Sequence, residues 1–105
     1  MSDRLEQLHE MLREEPDDSF LNYALALEYG KSGDIKKAIE LIENVLQRDA
    51  NYLGAYYQLG KYYEAVRQNE NALLTYKKGA VIAQAQNNKK ALGELNEALW
   101  MLEDD

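Results

Sequence analysis

Apolar residues recur at helical spacing along the whole chain. Leu5, Leu8, Met11 and Leu12 fall on one face of an amphipathic helix over residues 3–15. Pro16 disfavours helix at Glu15 and ends that element. Toward the other end, Leu92, Leu95, Leu99 and Leu102 form a second stripe. The pattern as a whole predicts helices over 3–15, 18–31, 34–48, 52–66, 69–86 and 89–103. Asp34 and Asn69 stand where N-caps are needed, and Gly33 can take the left-handed conformation that closes a helix. No β-alternation competes.

The segment "YYQLGKYYEA", residues 56–65, carries four tyrosines in eight positions with a glycine among them. In a helix that glycine costs about 1 kcal/mol relative to alanine, so something must approach it closely. Laying the chain on itself at an offset of 34 supplies a reason. Leu25 then falls on Leu59, Ala26 on Gly60, Tyr29 on Tyr63, Ala38 on Ala72, Val45 on Gly79 and Tyr23 on Tyr57. Small residues recur where two helices would cross, and large ones recur a turn away. A period in this range with helix-turn-helix content predicts an all-α stacked solenoid.

These residues resemble the tetratricopeptide repeat, a pair of antiparallel helices. Its first helix is marked by a large ring, Leu-Gly and Tyr, here Tyr56, Leu59-Gly60 and Tyr63. Its second is marked by Ala, an aromatic and a small residue, here Ala72, Tyr76 and Gly79. The earlier copy keeps Leu25-Ala26, Tyr29, the turn Gly33-Asp34, Ala38 and Ile42. It departs at Asn22, where a large apolar residue is usual, which leaves the packing there open. The later copy has Arg67-Gln68 in place of the Gly-Asp turn. The resemblance implies one tetratricopeptide-like domain, 1–105, of about six antiparallel helices in a right-handed superhelical stack. Its parts are a half-repeat over 3–16, repeats over 19–52 and 53–86, and a capping helix over 89–103. The capping stripe sits two residues out of the 34-residue register, which implies a longer turn at "QNNKK".

Charge narrows the possible partners. The net charge is -7, divided as -5 over residues 3–18, +3 over 19–93 and -5 over 94–105. Acidic ends argue against a general nucleic-acid binder, which needs a basic face. With no cysteine there is no disulfide, thiolate nucleophile or cysteine zinc site. The start, "MSDRLEQLHEM", has no long apolar run, so a cytoplasmic protein without a membrane span is expected. His9 is the sole histidine and reads as a boundary residue of the first helix. Lys36-Lys37, Lys77-Lys78 and Lys89-Lys90 read as solvated faces. No nucleophile elbow, P-loop, zincin or calcium-loop pattern occurs, so neither enzyme, cofactor nor metal is expected.

Helical spacing sets Tyr56, Leu59, Gly60 and Tyr63 on a packing face, with Tyr57, Lys61 and Glu64 on an adjoining side and Tyr62 between faces. The matching residues of the earlier copy are Phe20, Tyr23, Leu27 and Lys31. The resemblance implies that this second side lines a concave groove. The binding set is therefore Phe20, Tyr23, Leu27, Lys31, Tyr57, Lys61 and Glu64. Rings give contact area at small entropic cost, and lysines donate to carboxylates or carbonyls. The expected partner is a protein or peptide, a neutral or acidic segment being favoured. One subclass of the family clamps chaperone C-termini with Lys and Asn on its first groove helix and Asn on the next. Here Tyr23, Leu27 and Gln58 occupy those places, which argues against chaperone tails. The alternative is an assembly protein, a homodimer joined through the groove or the capping helix. Trp100 and Met101 lie off the leucine stripe, and Trp100 is expected to pack at the end of the stack.

Overall fold

Short polar side chains start several of the helices and residues with positive φ close several of them, across the described residues 3–103 of this computed structural model. The outermost two residues at each end of the expected 1–105 domain lie outside the described set. The helices are α1 (Asp3–Glu14), α2 (Ser19–Lys31), α3 (Ile35–Arg48), α4 (Leu53–Ala65), α5 (Asn69–Ala85) and α6 (Lys89–Glu103). No strand occurs among the described residues, and the chain has the all-α helical-repeat fold expected. It divides into two compact units, Met1–Ala50 and Asn51–Asp105.

The caps explain the boundaries. Asp18 accepts from the Leu21 amide at 2.8 Å, and Asp34 accepts from the Lys37 amide at 3.2 Å. At α6, Asn88 Oδ1 accepts from the Ala91 amide at 3.0 Å. Each bond satisfies an amide that has no intrahelical partner. Asn69 does not cap α5 as expected. It is the first helical residue, and Gln68 stands at the cap without a side-chain bond to the backbone. Gln68 instead accepts from the Asn71 side chain at 2.8 Å.

The turns after α2, α4 and α5 share one closure. Gly33 has φ 93, Arg67 φ 63 and Asn87 φ 57. The residue after each bonds back to a carbonyl five residues earlier: Asp34 to Tyr29 at 2.9 Å, Gln68 to Tyr63 at 2.8 Å, Asn88 to Ala83 at 2.9 Å. This is the Schellman arrangement, and it absorbs otherwise orphaned carbonyls. Arg67 therefore takes the place of a glycine at a position that disfavours a Cβ. The two extra residues before the capping stripe do not lengthen a turn, as expected at "QNNKK". α5 runs to 17 residues against 14 in α3 while the connection after it is one residue shorter, 86–88 against 49–52, and its turn is as tight as the others. Periodicity reported a shift of face; only the backbone shows that the helix absorbs it.

In the first unit, Leu8, Ala24 and Leu25 form a core cluster covered by Leu5, Leu12, Leu21, Tyr29 and Leu41. Asn22 is buried and satisfied: its side-chain amide donates to the carbonyls of Pro16 at 3.0 Å and Asp18 at 2.9 Å. The departure from an apolar residue thus fastens the turn between α1 and α2.

In the second unit, Gly60 and Gly79 accommodate specific neighbours. A Cβ on Gly60 would lie 2.1 Å from Cε1 of Tyr76, whose ring is fully buried. What approaches Gly60 is thus the Tyr76 ring, and not the neighbouring helix backbone that the repeat suggested. A Cβ on Gly79 would meet Cβ of Tyr56 at 2.6 Å and Cδ2 of Leu95 on α6 at 3.1 Å. At the equivalent register the first unit carries Ala26 with Ile42, and Asn22 with Val45, all buried. Relative to the first unit, the second exchanges Ala for Gly on its first helix and Ile for Tyr on its second, a smaller residue at the register of a larger one.

This exchange predicts a coupling. Gly60→Ala should lower unfolding free energy by about 1–3 kcal/mol, because a fully buried ring has nowhere to move. In a Tyr76→Ile background, which reproduces the α3 residue, the same change should be far milder. Denaturant melts of the four proteins should give a coupling energy of about 0.5–3 kcal/mol. Strictly additive effects would show that the ring is not the obstacle.

Candidate functional site

Each unit contributes its own face of rings and lysines. On α2, Phe20, Tyr23, Leu27 and Lys31 follow at intervals of three and four and share a stripe. Phe20 is 63% exposed, Tyr23 and Leu27 are half-buried, and Lys31 extends into water. The Lys31 ammonium lies 3.7 Å from Glu28, whose same oxygen lies 3.7 Å from the Arg4 guanidinium of α1. The Lys31 end of its pair is well exposed, which limits the contribution to about 0–1 kcal/mol, and its ammonium has further N–H donors for another group.

The α4 face is more closely organised. The Lys61 ammonium sits 5.4 Å from the centroid of the Tyr57 ring, within cation–π range. It also lies 4.0 Å from Glu64 Oε2. Behind them stands Tyr76 of α5. Its ring centroid is 6.2 Å from that of Tyr57, tilted by 42°, and its hydroxyl donates to Glu64. The structure therefore brings Tyr57, Lys61 and Glu64 together and anchors two of them to the core through one ring. Burial first, and then the hydrogen bond and charge of Glu64, push the Tyr76 hydroxyl far above its ordinary range. Tyr62 is half-buried; burial raises its hydroxyl, partly countered by a hydrogen bond with Gln58.

Tyr76 is the site residue that sequence reasoning missed. The repeat pattern marks it as an aromatic of the second helix, and the offset that sets it on Ile42 shows a hydroxyl where its counterpart has none. The partnership with Glu64 spans two helices and leaves no mark in local spacing. Tyr56 and Tyr63 are buried packing residues, as expected.

Other expectations fare differently. Trp100 does not pack at the end of α6: it is 66% exposed, as Met101 is 61% exposed, while Leu95 and Ala98 fill the buried face. The leucine stripe left an arc of the helix unassigned, and Trp100 falls opposite the packed side. His9 is exposed, with Nε2 3.4 Å from the Tyr29 hydroxyl and the rings edge to face at 6.4 Å. Among the described residues no cluster of His, Asp or Glu could hold a metal ion. No described helix is long and apolar enough to cross a membrane.

Comparison with known proteins gives a consistent result. The family model described as tetratricopeptide repeat matches residues 1–79. A TPR repeat-containing protein of Pseudomonas aeruginosa is 26% identical over 99 residues, which cover 94% of each chain. The solution structure of a tetratricopeptide repeat domain protein from Salinibacter ruber is 37% identical, with a TM-score of 0.81 over 85% of this chain and 90% of that one. The TPR2B domain of yeast Sti1, solved in complex with pHsp70, has a TM-score of 0.87 over 95% of this chain and 80% of that one. At 20% identity it is alike in fold alone.

The Tyr76 contact has a consequence at alkaline pH. An unfolded tyrosine ionises near 10.0, whereas the buried hydroxyl keeps its proton beyond that value. Above pH 10 the unfolded chain releases a proton that the native chain retains, so stability falls as pH rises. The slope per retained proton is about 1.4 kcal/mol per pH unit. Denaturant unfolding should show wild type losing about 1.4 kcal/mol more than Tyr76→Phe between pH 9 and pH 11, the difference steepening through the range. Parallel profiles would mean that Tyr76 is not held protonated in the core.

Proposed function

Since the chain belongs to the tetratricopeptide repeat family, we propose that it binds a protein or peptide segment on the first-helix faces of its repeats, Phe20, Tyr23, Leu27 and Lys31 on α2 and Tyr57, Lys61 and Glu64 on α4. The tetratricopeptide fold generally mediates protein–protein interaction, and its members are generally interaction modules, not enzymes. The observation that carries the reading is the pair of Tyr57 and Lys61, cation over ring and braced from behind by Tyr76. A braced ring loses little freedom on binding, so its contact area converts to affinity with less entropic loss. Lys31 and Lys61 each touch a glutamate yet retain further N–H donors, which supports a neutral or acidic segment. The neighbour solved with pHsp70 shares the fold, but Tyr23, Leu27 and Gln58 stand where the carboxylate-clamping Lys and Asn residues would be, so chaperone tails are not part of this reading. The cytoplasmic setting inferred from the sequence remains part of it.

A second reading, self-association through the capping helix, is favoured by one observation: Trp100 and Met101 are uncovered on α6. Light scattering at micromolar concentration, with Trp100 fluorescence recorded in parallel, tests it. A dimer whose tryptophan emission shifts to the blue supports it; a monomer with emission unchanged on concentration removes it.

For the leading reading, a displayed random-peptide library panned on wild type should enrich apolar or acidic sequences. The Tyr23→Ala/Tyr57→Ala/Lys61→Glu variant, shown to be folded by its helical melt, should bind them at least tenfold more weakly. Equal binding by the two proteins would overturn the assignment of these faces.

A further inference from the structure

We propose that the turn between α1 and α2 is a further docking surface, which takes a basic protein segment bearing a large apolar side chain. It adjoins the α2 face, with which it shares Phe20, and differs from the α2 and α4 faces in charge preference.

The turn sequence "EEPDD", residues 14–18, concentrates four carboxylates around Pro16. Two of them are committed within the unit. Asp18 caps α2, and Asp17 pairs with Arg48 of α3. Glu14 and Glu15 are exposed and make no ion pair among the described residues. The turn that carries them is held by Asn22, through the Pro16 and Asp18 carbonyls, so the acids are presented from a fastened backbone.

Beside these acids lie two large apolar side chains left open to water. Met11, one turn before Glu14 and Glu15 on α1, is 49% exposed, and Phe20 in the first turn of α2 is the more exposed of the two. Both line a shallow hollow of about 530 Å³, together with Leu21 and the carboxylate residues Glu14, Glu15 and Asp18. A thioether and a ring in the lining of one concavity suit one bulky apolar side chain, the methionine adapting to its shape. The unpaired carboxylates at the rim suit lysine or arginine flanking that side chain, and they repel an acidic segment or nucleic acid. Residues 3–18 carry seven acids against two bases, so the field over the hollow is negative well beyond its rim. A second copy of a chain with net charge -7 is the poorer occupant.

An amide-shift NMR titration with a lysine–leucine amphipathic peptide, and with its glutamate–leucine counterpart, tests this. The lysine peptide should shift amides clustered within residues 11–21, and added salt should weaken its binding. Glu14→Gln/Glu15→Gln and Met11→Ala should each weaken binding several-fold. All three positions are at the surface, so the variants keep the fold. Tyr57→Ala/Lys61→Glu should leave this binding unchanged, and loss of the α4 interaction would leave it standing. The proposal fails if the glutamate peptide shifts the same amides, or if the lysine peptide acts mainly on the acidic residues 94–105. It also fails if the Gln variant binds as wild type does, or if no shift appears at millimolar peptide.

Discussion

The second unit depends on a ring placed where a side chain is missing. Tyr76 is fully buried, and its edge occupies the space that a Cβ on Gly60 would need. Interiors pack at crystal-like density, so this ring could not be accommodated beside any larger residue without displacing its neighbours. A buried tyrosine must also place its hydroxyl, and Glu64, one turn beyond Gly60 on the same helix, accepts it. One side chain therefore seats α5 on α4, backs Tyr57 and orients the carboxylate beside Lys61. Core and candidate site share an atom set and cannot vary independently.

The first unit meets the same register with different sizes. Ala26 and Ile42 stand where the second has Gly60 and Tyr76, and Asn22 and Val45 stand where it has Tyr56 and Gly79. An asparagine in place of a buried ring gives up apolar contact, but its amide satisfies the Pro16 carbonyl and adds a second bond to the Asp18 carbonyl, which the Asn22 backbone amide also reaches. That fastening sets the direction of the acidic turn. The two repeats thus differ in what they expose: one unit braces a cation over a ring, and the other presents carboxylates beside open apolar groups.

Charge separates what these surfaces would accept. The lysines on α2 and α4 sit within an ion pair's reach of glutamates, which tempers their field without exhausting their donors. At the α1–α2 turn, Glu14 and Glu15 have no such neighbour among the described residues.

Much of this architecture was already written in the residue order. The helix bounds, the 34-residue repeat, the positive φ at Gly33 and the burial of Leu25, Leu59, Ala38 and Ala72 all follow from helical periodicity and turn chemistry, which act over a few neighbouring residues. The α2 and α4 stripes were legible for the same reason. What the order of residues did not disclose involves partners far apart in sequence. The ring on Gly60, the Tyr76–Glu64 bond and Asn22 as a turn anchor each depend on which side chains meet across helices. The uncovered Trp100 and the hollow between Met11 and Phe20 depend on which faces find no partner. Local spacing determines which face a side chain occupies; only packing in three dimensions decides what that face touches, because volume and hydrogen bonds are satisfied between elements and not within them.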